Sequence, residues 1–321
     1  ARALTDFERG VNAFRWSPDG KKIWFDALVK GGQAFSEKEE KEEKKKPEPV
    51  FVNKLKYKMD GMGLLPQDVH RHIGWVDVET KETEQLTEGD FNYTLEAVSH
   101  DGKKLVYGVT REENLDFVFR QPLYFYDTDS KEETLIADEE GYFDGAAFSF
   151  DDTKIAFIGS TRRFENATHT EVYVYDISAE TRFGLTEGID APVSDYVVAD
   201  HQQAAAAPAL VWTRDDHLYF QVSAMCDVRL YFASLDGAVY PASPEMEHVY
   251  GYDVSRDGTF AVAAISNPVN PGELYKLIIA TGEREALTAF NKTYLEETEL
   301  IQPESVIAKG ANEWDVHGWL M

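Results

Sequence analysis

Few residues in this 321-residue chain are spaced for chemistry. Asp68, His70 and His72 offer a carboxylate and two imidazoles, donor types that a zinc ion takes. Alternate residues on a loop seldom converge on one ion, so no metal is expected there. Asp127-Thr128-Asp129-Ser130 resembles the start of a calcium loop but lacks the Gly and the distal Glu that such a loop requires. Its place directly after a strand makes a hairpin turn the better reading. Cys226 falls in a turn before Val228-Arg229-Leu230-Tyr231, with nothing nearby to make it a nucleophile. Asn92, Asn166 and Asn291 begin glycosylation patterns that carry no meaning without secretion. No Gly-x-Ser-x-Gly elbow, phosphate loop, dinucleotide fingerprint or His-Glu-x-x-His occurs. These residues assemble no active site and call for no cofactor.

The elements behind them are clearer. Trp16-Ser17-Pro18-Asp19-Gly20 reads as a strand end and a tight turn, with an antiparallel partner starting at Lys21-Lys22-Ile23-Trp24-Phe25. Pro18 presets φ for a type I turn, Asp19 suits the next position, and Gly20 takes a left-handed one. The pattern returns at Val98–Gly102, Phe148–Asp152, Trp212–Asp216 and Val254–Gly258, always as an apolar residue, Ser or Thr, a variable residue and Asp. The next position is Gly, Asp, Asp or Gly, all types that tolerate positive φ. A second landmark is an apolar and aromatic strand that usually closes on Asp, as in Leu123–Asp127 and Val172–Asp176. A third is Leu-Thr at 86–87, 185–186 and 287–288, with Leu135-Ile136 standing in once. Units of ~40–50 residues with four short strands are the signature of β-propeller blades. Five blades are counted from their turns, and Leu4-Thr5 reads as the closing strand of a partial sixth. Both ends of the chain read as cut.

The first visible blade carries an insertion, residues 36–72, between its second and third strands. It opens with a run of mixed Lys and Glu, which suits a helix turn or a solvated loop. It continues through Lys54–Leu65 to His70-Arg71-His72. With glycines, basic residues and no part in the repeat, this second stretch is the better functional candidate; a loop that packs over the blade rim is the plain alternative.

Bulk properties exclude several classes. Hydrophobic content of 43% supports a packed core. A net charge of −26 opposes binding to nucleic acid or to an anionic membrane surface. No run approaches the roughly 18 apolar residues of a membrane span. A single cysteine excludes an internal disulfide framework and fits a cytoplasmic, reducing compartment.

The blade pattern, joined to Leu55-Lys56-Tyr57-Lys58-Met59-Asp60-Gly61 and His70-Arg71-His72-Ile73, resembles the propeller of prolyl oligopeptidase-family serine peptidases. The branch is that of acylaminoacyl-peptidases and dipeptidyl-peptidase-like enzymes. Glu304–Ala308 and Trp314–Met321 read as a hairpin, and in the family a strand pair ending in Gly-Trp-Leu-Met opens the α/β-hydrolase domain. The resemblance therefore implies a propeller over 1–302, seven-bladed in the intact protein, and the first hydrolase strands over 303–321. It places the Ser, Asp and His triad beyond Met321, so this chain alone is expected to be inactive. It also implies that the propeller gates peptide access to the hydrolase active site, with short peptides and its own hydrolase domain as partners. Self-association into a homo-oligomer stays open. Tyr57, Lys58 and Arg71 are the substrate-binding candidates, since a carboxylate or acyl group suits Lys58 or Arg71 by charge-assisted hydrogen bonding. The competing reading is a stand-alone propeller that scaffolds protein–protein contacts, similar to that of the Tol system.

Overall fold

A computed structural model describes residues 2–7, 9–31, 33–35, 49–66, 68–112, 114–137, 140–197 and 207–321. The charged run at 36–47, expected as a helix turn or loop, lies outside the described residues. Five four-stranded antiparallel meanders account for nearly all the strands. The first takes Val11–Trp16, Lys22–Lys30, Val69–Asp77 and Thr83–Gln85 in chain order across the sheet. The second takes Tyr93–Val98, Lys104–Val109, Leu123–Asp127 and Glu133–Ala137, and the third runs from Tyr142–Phe148 to Thr181–Gly184. The fourth (Val211–Trp212 to Val239–Pro241) and the fifth (His248–Val254 to Arg284–Ala286) are joined by one parallel pair, Val228 with His248.

Each repeated turn is closed by its own side chains. The Ser17 hydroxyl donates to the Asp19 carboxylate at 2.7 Å and accepts from the Lys22 amide at 2.8 Å. Ser99 with Asp101 and Ser149 with Asp151 repeat both bonds, and Thr213 donates to Asp215 at 2.6 Å. Gly20, Gly102, Asp152, Asp216 and Gly258 all lie at positive φ, as the residue types required. The Asp that closes the third strand does similar work: Asp127 Oδ1 accepts from the Asp129 and Ser130 amides. The calcium-like sequence is thus a hairpin turn.

The Leu-Thr landmark has a different cause from the one expected. The fourth strand of the first blade ends at Gln85, before Leu86-Thr87. The Leu86 amide then donates to the Ile73 carbonyl, and the Thr87 hydroxyl accepts from the Ile73 amide at 2.9 Å. Thr186 does the same for Val172, and Thr288 for Leu274. Ala242-Ser243 fills this role in the fourth blade, a copy that its sequence hides. Leu4-Thr5, expected as a strand, is not one; Leu4 packs instead against a cluster of Phe7, Phe25, Ala27 and Val76.

The chain divides into two compact units, Ala1–Ile155 with Gly159–Thr168, and Ala156–Ile158 with His169–Met321. In the first, Trp24, Ile73, Leu95, Leu105 and Tyr107 form a buried cluster. In the second, Tyr219, Leu230, Val249, Ile265 and Leu277 do so. Irregular inner strands are repaired by polar side chains within each unit. The fully buried Asp26 accepts from the Leu95 amide beside the register shift at Leu95/Ala97. Gln221 donates to the Val249 carbonyl beside the shift at Val249/Gly251. A buried backbone group left without a partner would cost about 1–3 kcal/mol, which explains an acid and an amide among apolar neighbours.

Candidate functional site

The three substrate-binding candidates separate into two places. Arg71 is not in the insertion at all: the third strand of the first blade begins at Val69, so His70, Arg71 and His72 are blade residues. Arg71 lies opposite Leu28 in the ladder, and its amide donates to Asn92 Oδ1 at 3.0 Å. Its guanidinium Nε is 3.7 Å from Asp26 Oδ1 and makes no hydrogen bond. Asp26 is already engaged by the Leu95 amide, so the Arg71 fork keeps donors for a further acceptor. His72 is buried with its Nδ1 3.3 Å from the Thr87 hydroxyl, and burial lowers its pKa, as does neighbouring His70.

Further acids lie in the same unit. Glu96 interrupts the apolar strand Tyr93–Val98 and reaches the Gly145 amide at 2.9 Å. Burial, opposed by that bond, raises its pKa to about 7, with Asp144 and Asp26 adding repulsion and Arg15 attraction. Burial also raises Asp144, and Tyr142 is raised by burial and by the charges of Asp144 and Glu96. Arg71 therefore belongs to a neighbourhood with several carboxyl groups, one of which changes charge near neutrality.

Tyr57 and Lys58 stand on the insertion. Lys58–Met59 pairs with Gly63–Leu64 around the turn at Asp60-Gly61, and the Leu65 amide donates to the Tyr57 carbonyl at 2.8 Å. Lys58 is exposed, with its ammonium 5.9 Å from the Tyr57 ring centre. The sequence missed what holds this hairpin. Asp116 Oδ1 accepts from the Leu55 and Lys56 amides at 3.0 and 3.3 Å, and Lys56 Nζ donates to the Leu115 and Val118 carbonyls at 2.6 and 2.9 Å. Asn114 caps the short turn of Leu115–Phe117 by accepting from the Asp116 amide. The one legible hint was an Asn-x-Asp cap in a loop between strands; its long-range partner had no sequence signal.

Repeated four-stranded meanders with these turns define a β-propeller, and comparison with known proteins agrees. Residues 26–214 match the family model of the acylaminoacyl-peptidase N-terminal beta-propeller domain. The chain belongs to this family. It is 30% identical, over its whole length, to a peptidase of Bacillus subtilis (strain 168), YuxL, described as uncharacterized, and covers 49% of that protein. Its fold matches Pyrococcus horikoshii acylaminoacyl peptidase with a TM-score of 0.69 at 19% identity, covering 96% of this chain and 43% of that one. Porphyromonas gingivalis dipeptidyl peptidase 4 matches at a TM-score of 0.57 and 14% identity, over 96% of this chain and 41% of its own. The chain thus spans about half the length of the relatives it matches.

Proposed function

We propose that this propeller is the N-terminal part of a cytoplasmic, oligopeptide-cleaving serine peptidase of the prolyl oligopeptidase family, acylaminoacyl- or dipeptidyl-peptidase-like. In this reading it gates the entry of short peptides to a hydrolase domain that carries the Ser, Asp and His triad outside this chain. Residues 1–302 are then the propeller and 303–321 the opening strands of the hydrolase domain.

One observation carries the reading. Glu304–Lys309 and Asp315–Leu320 form an antiparallel hairpin whose Val306, Ile307, Val316, Trp319 and Leu320 are all exposed. The register puts Val306, Val316 and Leu320 on one face and Ile307 and Trp319 on the other, and an isolated two-stranded hairpin with both faces apolar and exposed is marginal in water. A further domain packed on this hairpin would bury it. Family membership and the half-length match support the same conclusion. A single exposed cysteine is in keeping with a reducing compartment, and among the described residues no helix is long and apolar enough to cross a membrane.

The test is the open reading frame and its product. A longer protein with a Gly-x-Ser-x-Gly past Met321 should label with a fluorophosphonate and cleave short acylated peptides, while this chain alone should not label. A product that ends here would return the scaffold reading. In the longer protein, Arg71→Ala should raise KM for short peptides; unchanged kinetics would remove Arg71 from the site.

A further inference from the structure

The insertion hairpin does not stand alone. Three loops leave the same end of the first three blades, following Lys22–Lys30, Lys104–Val109 and Lys154–Ser160. Hydrogen bonds from Asp116 and Lys56 tie the first loop to the second. The Lys56 ammonium lies 4.8 Å from the centre of the Phe119 ring, and the Arg162 guanidinium 5.4 Å from it. Arg162 also donates to the Phe119 carbonyl at 3.2 Å and pairs with Glu165, which ties the third loop to the second. Phe119 is thus held by one cation from each neighbouring loop.

On this base Leu55, Met59, Met62, Leu64, Phe117 and Phe164 are each more than half exposed. Lys54, Lys58 and Arg163 have no carboxylate partner among the described residues. A chain with a net charge of −26 here shows unpaired cations beside exposed apolar side chains. Exposed apolar groups favour an apolar partner, and unpaired cations favour an anionic one.

Resting on the peptidase reading above, we infer that residues 54–65, 114–119 and 162–165 of these loops form one platform that takes an acidic, apolar stretch of a peptide substrate. Lys54, Lys58 and Arg163 face its carboxylates. Asp116 and Lys56 are positioning residues: they touch no substrate and fix the hairpin that presents Lys58. The Asp116 contribution is to accept two amide N–H groups, which an Asn side-chain oxygen also does.

The experiment uses the full-length peptidase and two blocked peptides of equal length, identical except for two Glu or two Gln away from the scissile bond. The Glu peptide should have a KM lower by about fivefold, the size of one or two partly exposed charge pairs. Lys54→Ala with Lys58→Ala should abolish the preference, the change falling on KM rather than kcat. Asp116→Ala should abolish it too, and Asp116→Asn should restore it. Equal KM values for the two peptides, or a preference that survives in Asp116→Ala, would overturn the inference. If the Lys variants change the sedimentation coefficient at constant KM, the platform joins copies of the chain and the inference fails. If neither peptide is cleaved, the peptidase reading fails by itself, and binding of the fluorescently labelled peptides to this chain decides the platform: equal affinity rejects it.

Discussion

Two kinds of tight turn coexist in this molecule, and they are held by different means. The turn at Ser17–Gly20 and its four copies are closed chiefly from within, since hydroxyl, carboxylate and amide within six residues satisfy one another, while Asp152 also accepts from the His100 and Asp101 amides of the preceding copy. Burial of most of the Ser and Thr side chains lets each blade close on a packed interior. The Asp151 carboxylate is held at about 2, first by the Ser149 hydroxyl and then by Thr153. The hairpin around Asp60-Gly61 has only two cross-strand pairs and exposed strands, and borrows its anchors from Asp116 and from the carbonyls of another blade's loop. A self-sufficient turn can be copied along a chain. The Asp60-Gly61 hairpin depends on a distant loop for its anchors.

That contrast makes ordered predictions. Phe220→Ala, in a fully buried blade strand, should cost about 3–5 kcal/mol in urea denaturation. A loss below 1 kcal/mol would mean that the blades are not the stabilising part. Next is the pH dependence of Glu96. Its pKa rises from the ordinary 4.5 to about 7, so folding favours the neutral acid. Stability from this group is complete below 4.5 and is lost as pH rises through about 7, a decline of up to about 3 kcal/mol. Glu96→Gln should flatten the stability profile between about pH 5 and 8. An unchanged slope would assign the titration elsewhere.

Smaller effects test the turns themselves. Ser99→Ala removes a buried hydroxyl that bridges Asp101 and the Lys104 amide, and should cost about 1–2 kcal/mol. Ile307→Thr, on the exposed hairpin, should change the stability of this chain by less than about 0.5 kcal/mol. A loss there as large as at Ser99 would erase the distinction between the copied turns and the presented surfaces.

Much of the scaffold was legible because its causes are local. Ser-x-Asp followed by a residue that tolerates positive φ closes a turn from neighbours alone, so five blades could be counted from residue types. The hairpin at Glu304–Leu320 was legible for the same reason. The Leu-Thr landmark was visible, while its cause, a hydroxyl accepting from a neighbouring strand's amide, was not. Glu96 left a trace as an acid inside an apolar strand.

The site was much less legible. Sequence proximity placed Arg71 with the insertion, but strand pairing put it in the blade beside Asp26. Lys56 and Asp116 are sixty residues apart, and only the packing of two loops brings them together. By itself the sequence determined the repeated turns, the count of five blades and the family, since each rests on contacts between near neighbours or on a long recurring pattern. Tertiary structure alone decided which cations stay unpaired, which acids are buried and how the insertion is held, because burial and charge pairing depend on residues that the chain keeps far apart.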